Sequence, residues 1–293
     1  MVEPLIGQGR AVIDMVVDEG TFVENKVGNT EFTLEFGDCA VIGNAKLDGK
    51  PLLILAIDGM SFNPRFPVVY MGVIGMEEAY KMAWALYTLM EQEKDVPVAD
   101  RTRVLLIVDT PGNGPGKWEE IMGMNKATGG YQLALAEARQ RGWSSVAYVI
   151  SRAISGAFLC HGLQADHIVA LGPEYNTMIH VMPITSISRI TKLDIEFLQE
   201  LSKSNPVFAP GPQFFYALGG VNEMIDNHED ARAIIIKHFD EIVALKVKGE
   251  QDTLGPMGRG LLAIERNSRS ARAKALAVAA EEYAAVMDKY INA

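Results

Sequence analysis

Three short runs of uninterrupted apolar residues constrain this chain more than any other feature. They are Leu52–Ile57, Val104–Val108 and Val146–Ile150. Each has the length of a strand and none alternates with polar residues, so each must be covered on both faces. After the first run, Met76, Ala79, Tyr80, Ala83, Leu86, Tyr87 and Met90 fall at helical spacing. After the second, Glu119 to Arg141 is helical in composition, with Thr128-Gly129-Gly130 read as an interruption. Buried strands alternating with helices predict an α/β fold whose neighbouring strands run parallel. Ile168–Leu171 and Met178–Met182 supply two shorter strands.

The flanks bound the architecture. Strand-like pieces dominate the first 58 residues, and Cys39–Asp58 reads as a hairpin because Asp48-Gly49 supplies the positive φ of a tight turn. Beyond Lys192 the chain becomes mainly helical. His228–Lys248 carries one apolar face, and an alanine-rich helix, capped by Asn267 or Ser268, runs to about Ile291. Lys248–Gly260, with its four glycines, is the one linker-like stretch. With 293 residues, 48% of them apolar, one large domain can bury an ample core. The expected division is a main domain over 1–225 and a helical extension over 226–293.

Several function classes drop out. Lys and Arg number 27 against 37 Asp and Glu, and a net charge of −10 repels phosphate backbones, so nucleic-acid binding is not expected. Two cysteines, Cys39 and Cys160, cannot build a disulfide framework or a cysteine-rich zinc module. The five histidines, His161, His167, His180, His228 and His238, show no zinc spacing, and no metal site is expected. His228 and His238 are expected on a helix surface. No basic-then-apolar leader opens the chain, and no apolar stretch approaches ~18 residues. The expectation is a soluble cytoplasmic protein without a membrane span.

Chemistry is best sought in glycine turns at the ends of buried strands, where backbone N–H groups can face a ligand. There are two: Asp109-Thr110-Pro111-Gly112-Asn113-Gly114-Pro115-Gly116, and Ser151-Arg152-Ala153-Ile154-Ser155-Gly156-Ala157. Both are also compatible with ordinary βα turns. No nucleotide-phosphate loop and no His-Glu-x-x-His occurs.

These residues carry a family resemblance. The Asp109–Gly112 loop, then Glu119-Glu120, then Ser155-Gly156-Ala157 resemble the α-type half of acyl-thioester carboxyltransferases, which have an Asp-Thr-Pro-Gly loop and a Gly-Gly-Ala turn. Ile13–Glu24, Gly37–Gly43 and Leu47–Pro51 resemble the opening blocks of biotin-dependent carboxyltransferases. Ser155–Ala165, Ile179–Met182, Arg189–Thr191 and Tyr216–Gly219 are similar to malonate decarboxylase γ subunits. Ser155 departs from the family's first glycine.

The resemblance implies a crotonase-type fold, a spiral of ββα units. It implies a carboxyltransferase subunit that moves the carboxyl group of malonyl-acyl carrier protein to a biotin carrier protein, leaving an acetyl thioester. The alternative is the γ subunit of a biotin-independent malonate decarboxylase that releases carbon dioxide directly. Oxyanion stabilisation by N–H donors suits such chemistry, and removing one donor costs ~3 kcal/mol. The resemblance points first to the amides of Gly156 and Ala157, and second to Gly112 and Asn113. Ser155, Arg152 and His161 are candidates for substrate contact, and His180 for orienting or protonating the product. Ser155 equally suits a helix cap, Arg152 a surface salt bridge, and the two histidines core positions. A homologous β-type subunit, an acyl carrier protein and a biotin carrier protein are the implied partners. Biotin would arrive on its own protein, because no carrier-lysine motif occurs and no covalent cofactor is expected here. Arg259, Arg266, Arg269, Arg272 and Lys274 form a basic cluster suited either to docking an acidic carrier or to a solvated helix face. More remote readings are a caseinolytic-type serine hydrolase built on Ser155 and His180, and a scaffold without catalytic contacts.

Overall fold

The computed structural model describes residues 3–114, 116–204, 211–266, 268 and 270–291. The chain opens with helix α1 (Gly9–Val16), where strand-like pieces were expected, because Val12, Ile13 and Val16 share one buried stripe. Three two-residue strands follow: β1 (Val23–Glu24), β2 (Lys26–Val27) and β3 (Thr30–Glu31). The expected hairpin is β4 (Ala40–Leu47) and β5 (Lys50–Ile57), turned by Asp48 and Gly49 at φ 52° and 71°.

From there, strands and helices alternate. Helix α2 (Met76–Gln92) leads to β6 (Arg103–Thr110). Helices α3 (Lys117–Met122) and α4 (Met124–Gln140) lead to β7 (Ser145–Ile154). The short α5 (Ser155–Cys160) leads to β8 (His167–Leu171) and β9 (Met178–His180). Helices α6 (Ile184–Thr191), α7 (Ile195–Ser204) and α8 (Pro212–Ala217) precede β10 (Glu223–Ile225). The chain closes with α9 (Ala231–Lys248), α10 (Gly255–Glu265) and α11 (Ser270–Ile291).

The main sheet runs β1-β4-β5-β6-β7-β8-β10. It is antiparallel through the β4–β5 hairpin and parallel from β5 to β10. The apolar runs are continuous because alternate residues serve two cores. Leu53, Leu55, Leu106 and Val149 face α2 and α4, where Met82, Leu86, Tyr131 and Leu135 pack. Leu52, Ile54, Ile107 and Tyr148 face α1 and α9, where Ile13, Ile235, Phe239 and Ile242 pack. No helix among the described residues is long and apolar enough to cross a membrane.

Several expectations change. The helical stretch after β6 breaks at Gly123, φ 108°, and not at Thr128-Gly129-Gly130. Thr128 Oγ1 bonds back to Met124 O at 2.9 Å, and Gly129 and Gly130 face open space, so α4 continues through them. The expected boundary at 225/226 does not coincide with a break in packing, since α9 fills the second core. Lys248–Gly260 is no linker, because most of α10 lies within it. Arg259 there is buried and donates to the carbonyls of Leu163, Ala165 and Asp166. Arg266 likewise donates to Tyr216, Val221 and Asn222 carbonyls. Two members of the basic cluster therefore tie segments of this one chain together instead of facing a carrier. Asn267, Arg269 and the Arg272 side chain lie outside the described residues, and Lys274 is exposed.

Candidate active site

The central strands β6 and β7 are buried along their whole length and end at the same level of the sheet. Thr110 pairs with Ala153, after a shift of register between Val108 and Thr110. Asp109 sits in that irregularity with its side chain turned inward. Its Oδ1 accepts Arg152 Nε at 2.7 Å and the Arg152 backbone N–H at 3.1 Å. Its Oδ2 accepts Arg152 Nη2 at 2.9 Å and the Gly7 N–H at 2.7 Å. Arg152 Nη2 also donates to Met71 O at 2.9 Å. Arg152 thus lies in β7, not in a turn, and forms neither a surface salt bridge nor an open carboxylate site. Its guanidinium is committed to Asp109, with residue exposures of 9% and 3%. The pair clamps the amino-terminal loop, the 71–74 loop and both central strands together.

That clamp sets the Asp109–Gly116 loop. Gly72, at φ 89°, brings its backbone against Asp109 O, where a Cβ would come within 2.7 Å. Ile74 donates its N–H to Gly112 O at 3.1 Å and accepts the Gly114 N–H at 2.9 Å. In this parallel bridge Ile74 uses both residues flanking Asn113, so the Asn113 N–H and C=O point away from it.

Just past the end of the neighbouring strand β7, Ser155 takes a left-handed conformation, φ 58°, at the place of the family's first glycine. It is exposed, while Gly156 is half-buried and Ala157 buried. The amides of Gly156 and Ala157 belong to the first turn of α5 and have no intrahelical acceptor, and Ile154 provides no side-chain cap. The two turns touch. A Cβ on Gly156 would overlap Asn113 Oδ1, and one on Gly112 would lie 3.8 Å from Ser155 Cβ. The two candidate amide pairs therefore lie side by side, and the space beside them is the candidate cleft.

His180 stands beside this cleft, because Ile154 pairs with His180 across β7 and β9. Burial lowers the His180 imidazole below its ordinary value, and its Nδ1 is buried with no bond among the described residues. No hydrogen bond joins it to Ser155 and no carboxylate orients it among those residues, so the arrangement of a serine hydrolase is not assembled. His161 lies outside the cleft and is fully buried. Its Nδ1 is 2.9 Å from Tyr131 Oη and its Nε2 is 2.9 Å from Ile107 O. Burial pushes that ring down to about 4, so it is a neutral strut between α4 and β6. Beneath the loop lie Glu78 and Glu119, both raised by burial, with Glu78 raising Glu119 further.

The sequence did not reveal this clamp, in which Arg152 and Gly7 donate to Asp109 and Arg152 also donates to Met71 O. The only signal was an arginine placed between a buried strand and the Ser155 turn.

A crotonase-type α/β fold carrying an Asp-Thr-Pro-Gly loop and a Ser-Gly-Ala turn side by side defines a subunit of the acyl-thioester carboxyltransferase class. Within that class the chain belongs to the malonate decarboxylase gamma subunit family, whose model matches residues 70–280. It is 54% identical over 289 residues to the malonyl-S-ACP:biotin-protein carboxyltransferase MADD of Malonomonas rubra, covering 98% of this chain and 99% of that one. It resembles a Pseudomonas malonate decarboxylase hetero-tetramer solved with coenzyme A, with TM-score 0.72 and 29% identity over 83% of this chain and 92% of that chain. It also resembles the Pseudomonas MdcD-MdcE hetero-dimer, with TM-score 0.68 and 26% identity over 90% and 98% of the two chains.

Proposed function

We propose that this chain is the carboxyltransferase subunit of a malonate decarboxylase complex, acting in the cytoplasm. It passes the carboxyl group of malonyl-acyl carrier protein to a biotin carrier protein and leaves an acetyl thioester. The carbon–carbon bond to the carboxyl group breaks and its electron pair passes to the thioester enolate; the new nitrogen–carboxyl bond displaces the proton of the biotin ring nitrogen, and that proton completes the acetyl group. The observation that carries this reading is that the two turns touch, with the Asn113 amide turned away from Ile74 and those of Gly156 and Ala157 in the uncapped first turn of α5. Unpaired N–H donors fit a carbonyl-type oxygen that gains negative charge, and they need no metal or nucleophile.

By this reading a homologous β-type subunit supplies the thioester half-site. The amides here receive the ureido oxygen of biotin, whose ring nitrogen accepts the carboxyl group. Gly112 shapes the loop, since its own N–H is 3.3 Å from Thr110 Oγ1. Ser155 sets the turn, and Arg152 holds the two strands in register. His180, neutral and beside Ile154, is placed to orient the incoming group or return a proton. Helix α3 follows the loop directly and exposes Trp118, Ile121 and Met122, an apolar face placed to meet the partner subunit.

The test is carboxyl transfer by this chain reconstituted with its homologous subunit and both carrier proteins, with and without avidin. Avidin should abolish turnover. Undiminished carbon dioxide release in its presence would establish the biotin-independent reading instead.

A further inference from the structure

Four titratable side chains far from the cleft meet where α9 crosses the start of β8. His167 Nδ1 and His238 Nδ1 are 2.8 Å apart, with the rings nearly perpendicular at 87°. Glu241, one helical step along α9, brings Oε2 to 3.7 Å from His238 Nδ1. One ligand atom each of His167, His238 and Glu241 lies within 4.8 Å of the others. On the far side of the ring, His238 Nε2 is 3.1 Å from Glu223 Oε2, which also accepts Lys237 Nζ at 2.8 Å. Both histidines are buried, so His238 is not the surface residue expected from its helix.

The carboxylate of Glu223 fixes the tautomer. It accepts the Nε2 proton of His238, which leaves the Nδ1 lone pair facing His167 and Glu241. A carboxylate behind an imidazole is the arrangement that orients metal-bound histidines. Without an ion, two nitrogen lone pairs and a carboxylate oxygen share one proton, carried on His167 Nδ1.

We propose that His167, His238 and Glu241 form a divalent transition-metal site, with zinc the best-matched ion. Two imidazoles and one carboxylate are a zinc donor set, and the exposed side of Glu241 leaves a fourth position for water. Bonds of ~2.05 Å at a tetrahedral angle need nitrogens about 3.3 Å apart, so the pair opens by roughly half an ångström. As the ion enters, the proton on His167 Nδ1 moves to Nε2 of the same ring or leaves to solvent. Two carboxylates balance the ion's charge: Glu241 as a ligand, and Glu223 behind the His238 ring. Lys237 offsets one of them, and Lys246 and Arg259 add positive charge near His167. His167 pairs with Val146, nine residues along β7 from Ser155, which is ~30 Å at strand spacing. The ion would therefore pin α9 and β10 to β8, not take part in carboxyl transfer.

The experiment uses the untagged full-length chain, stripped with a chelator and titrated with Co²⁺ as a spectroscopic stand-in for Zn²⁺. One equivalent should bind with the intense visible absorption of a low-coordinate nitrogen–oxygen site, Zn²⁺ should displace it, and Zn²⁺ should raise the melting temperature. Glu241→Ala, at an exposed position, should leave melting of the metal-free chain unchanged and weaken binding about 10- to 100-fold. His238→Gln should abolish the absorption. Lack of saturable binding at one equivalent overturns the proposal, as does binding that both variants leave intact.

Discussion

Gly156→Ala separates an oxyanion role from a scaffold role, because the structure says where the methyl group goes. Gly156 does not have a positive φ, so alanine meets no backbone strain there. The added Cβ overlaps only Asn113 Oδ1 and sits 3.3 Å from its Cγ, with no backbone atom in the way. The overlap is relieved by swinging the far end of Asn113, so folding and assembly should persist with the melting temperature changed by no more than about 3 °C. The cleft changes more. A displaced Asn113 side chain and an extra methyl stand between the Gly156 and Asn113 amides. Moving one donor out of line by ~1 Å, or blocking its access, costs about 2.7 kcal/mol of transition-state stabilisation, or ~100-fold in kcat. The assay is single-turnover carboxyl transfer by the reconstituted complex, with size-exclusion chromatography to confirm assembly. Asn113→Gly in the Gly156→Ala background removes the overlapping group and keeps the Asn113-position amide, so it should recover at least ~10-fold. Full activity of Gly156→Ala in an assembled complex would refute the oxyanion assignment. A single variant as slow as expected, but with no recovery in the double variant, would refute the shared cleft.

Three further outcomes follow from other contacts. Arg152→Met leaves the Asp109 carboxylate buried without its cation and should cost roughly 3–5 kcal/mol in urea denaturation; a loss below about 1 kcal/mol would mean that the clamp is not a structural pair. His161 is lowered from an ordinary 6.5 to about 4, so the unfolded chain binds the extra proton between those values and stability falls as pH drops through that window. That contribution is ~3 kcal/mol at most, and His161→Gln should flatten the acid limb between pH 6.5 and 4 in pH-dependent melts; an unchanged slope would contradict it. Trp118→Glu should prevent co-elution with the homologous subunit while leaving the melting temperature of the isolated chain unchanged, and normal co-elution would move the interface away from α3.

The fold was legible wherever burial is two-sided. Leu52–Ile57, Val104–Val108 and Val146–Ile150 have no polar member because both faces of their strands meet apolar helices, and that pattern cannot be mistaken for a solvated edge. The hairpin at Asp48-Gly49 was legible for an equally local reason, since the turn's backbone chemistry lies in two adjacent residues. What escaped was held by contacts distant in sequence. Ser151 and Arg152 look like the start of a loop, yet β7 continues to Ile154 because Asp109, 43 residues earlier, neutralises Arg152 inside the sheet. Arg259 and Arg266 look like a surface patch, yet they are turned inward by backbone carbonyls near residues 163–166 and 216–222. His167 and His238 meet across 71 residues, which no ligand-spacing rule anticipates. The same distinction runs through the cleft itself. Each glycine turn could be found from its own residues and the strand before it. That Gly112-Asn113 and Gly156-Ala157 lie side by side, and not apart, depends on the register of Thr110 against Ala153. That register is set by the Asp109–Arg152 pair, so the residue first considered for binding substrate has instead the task of bringing the amides together.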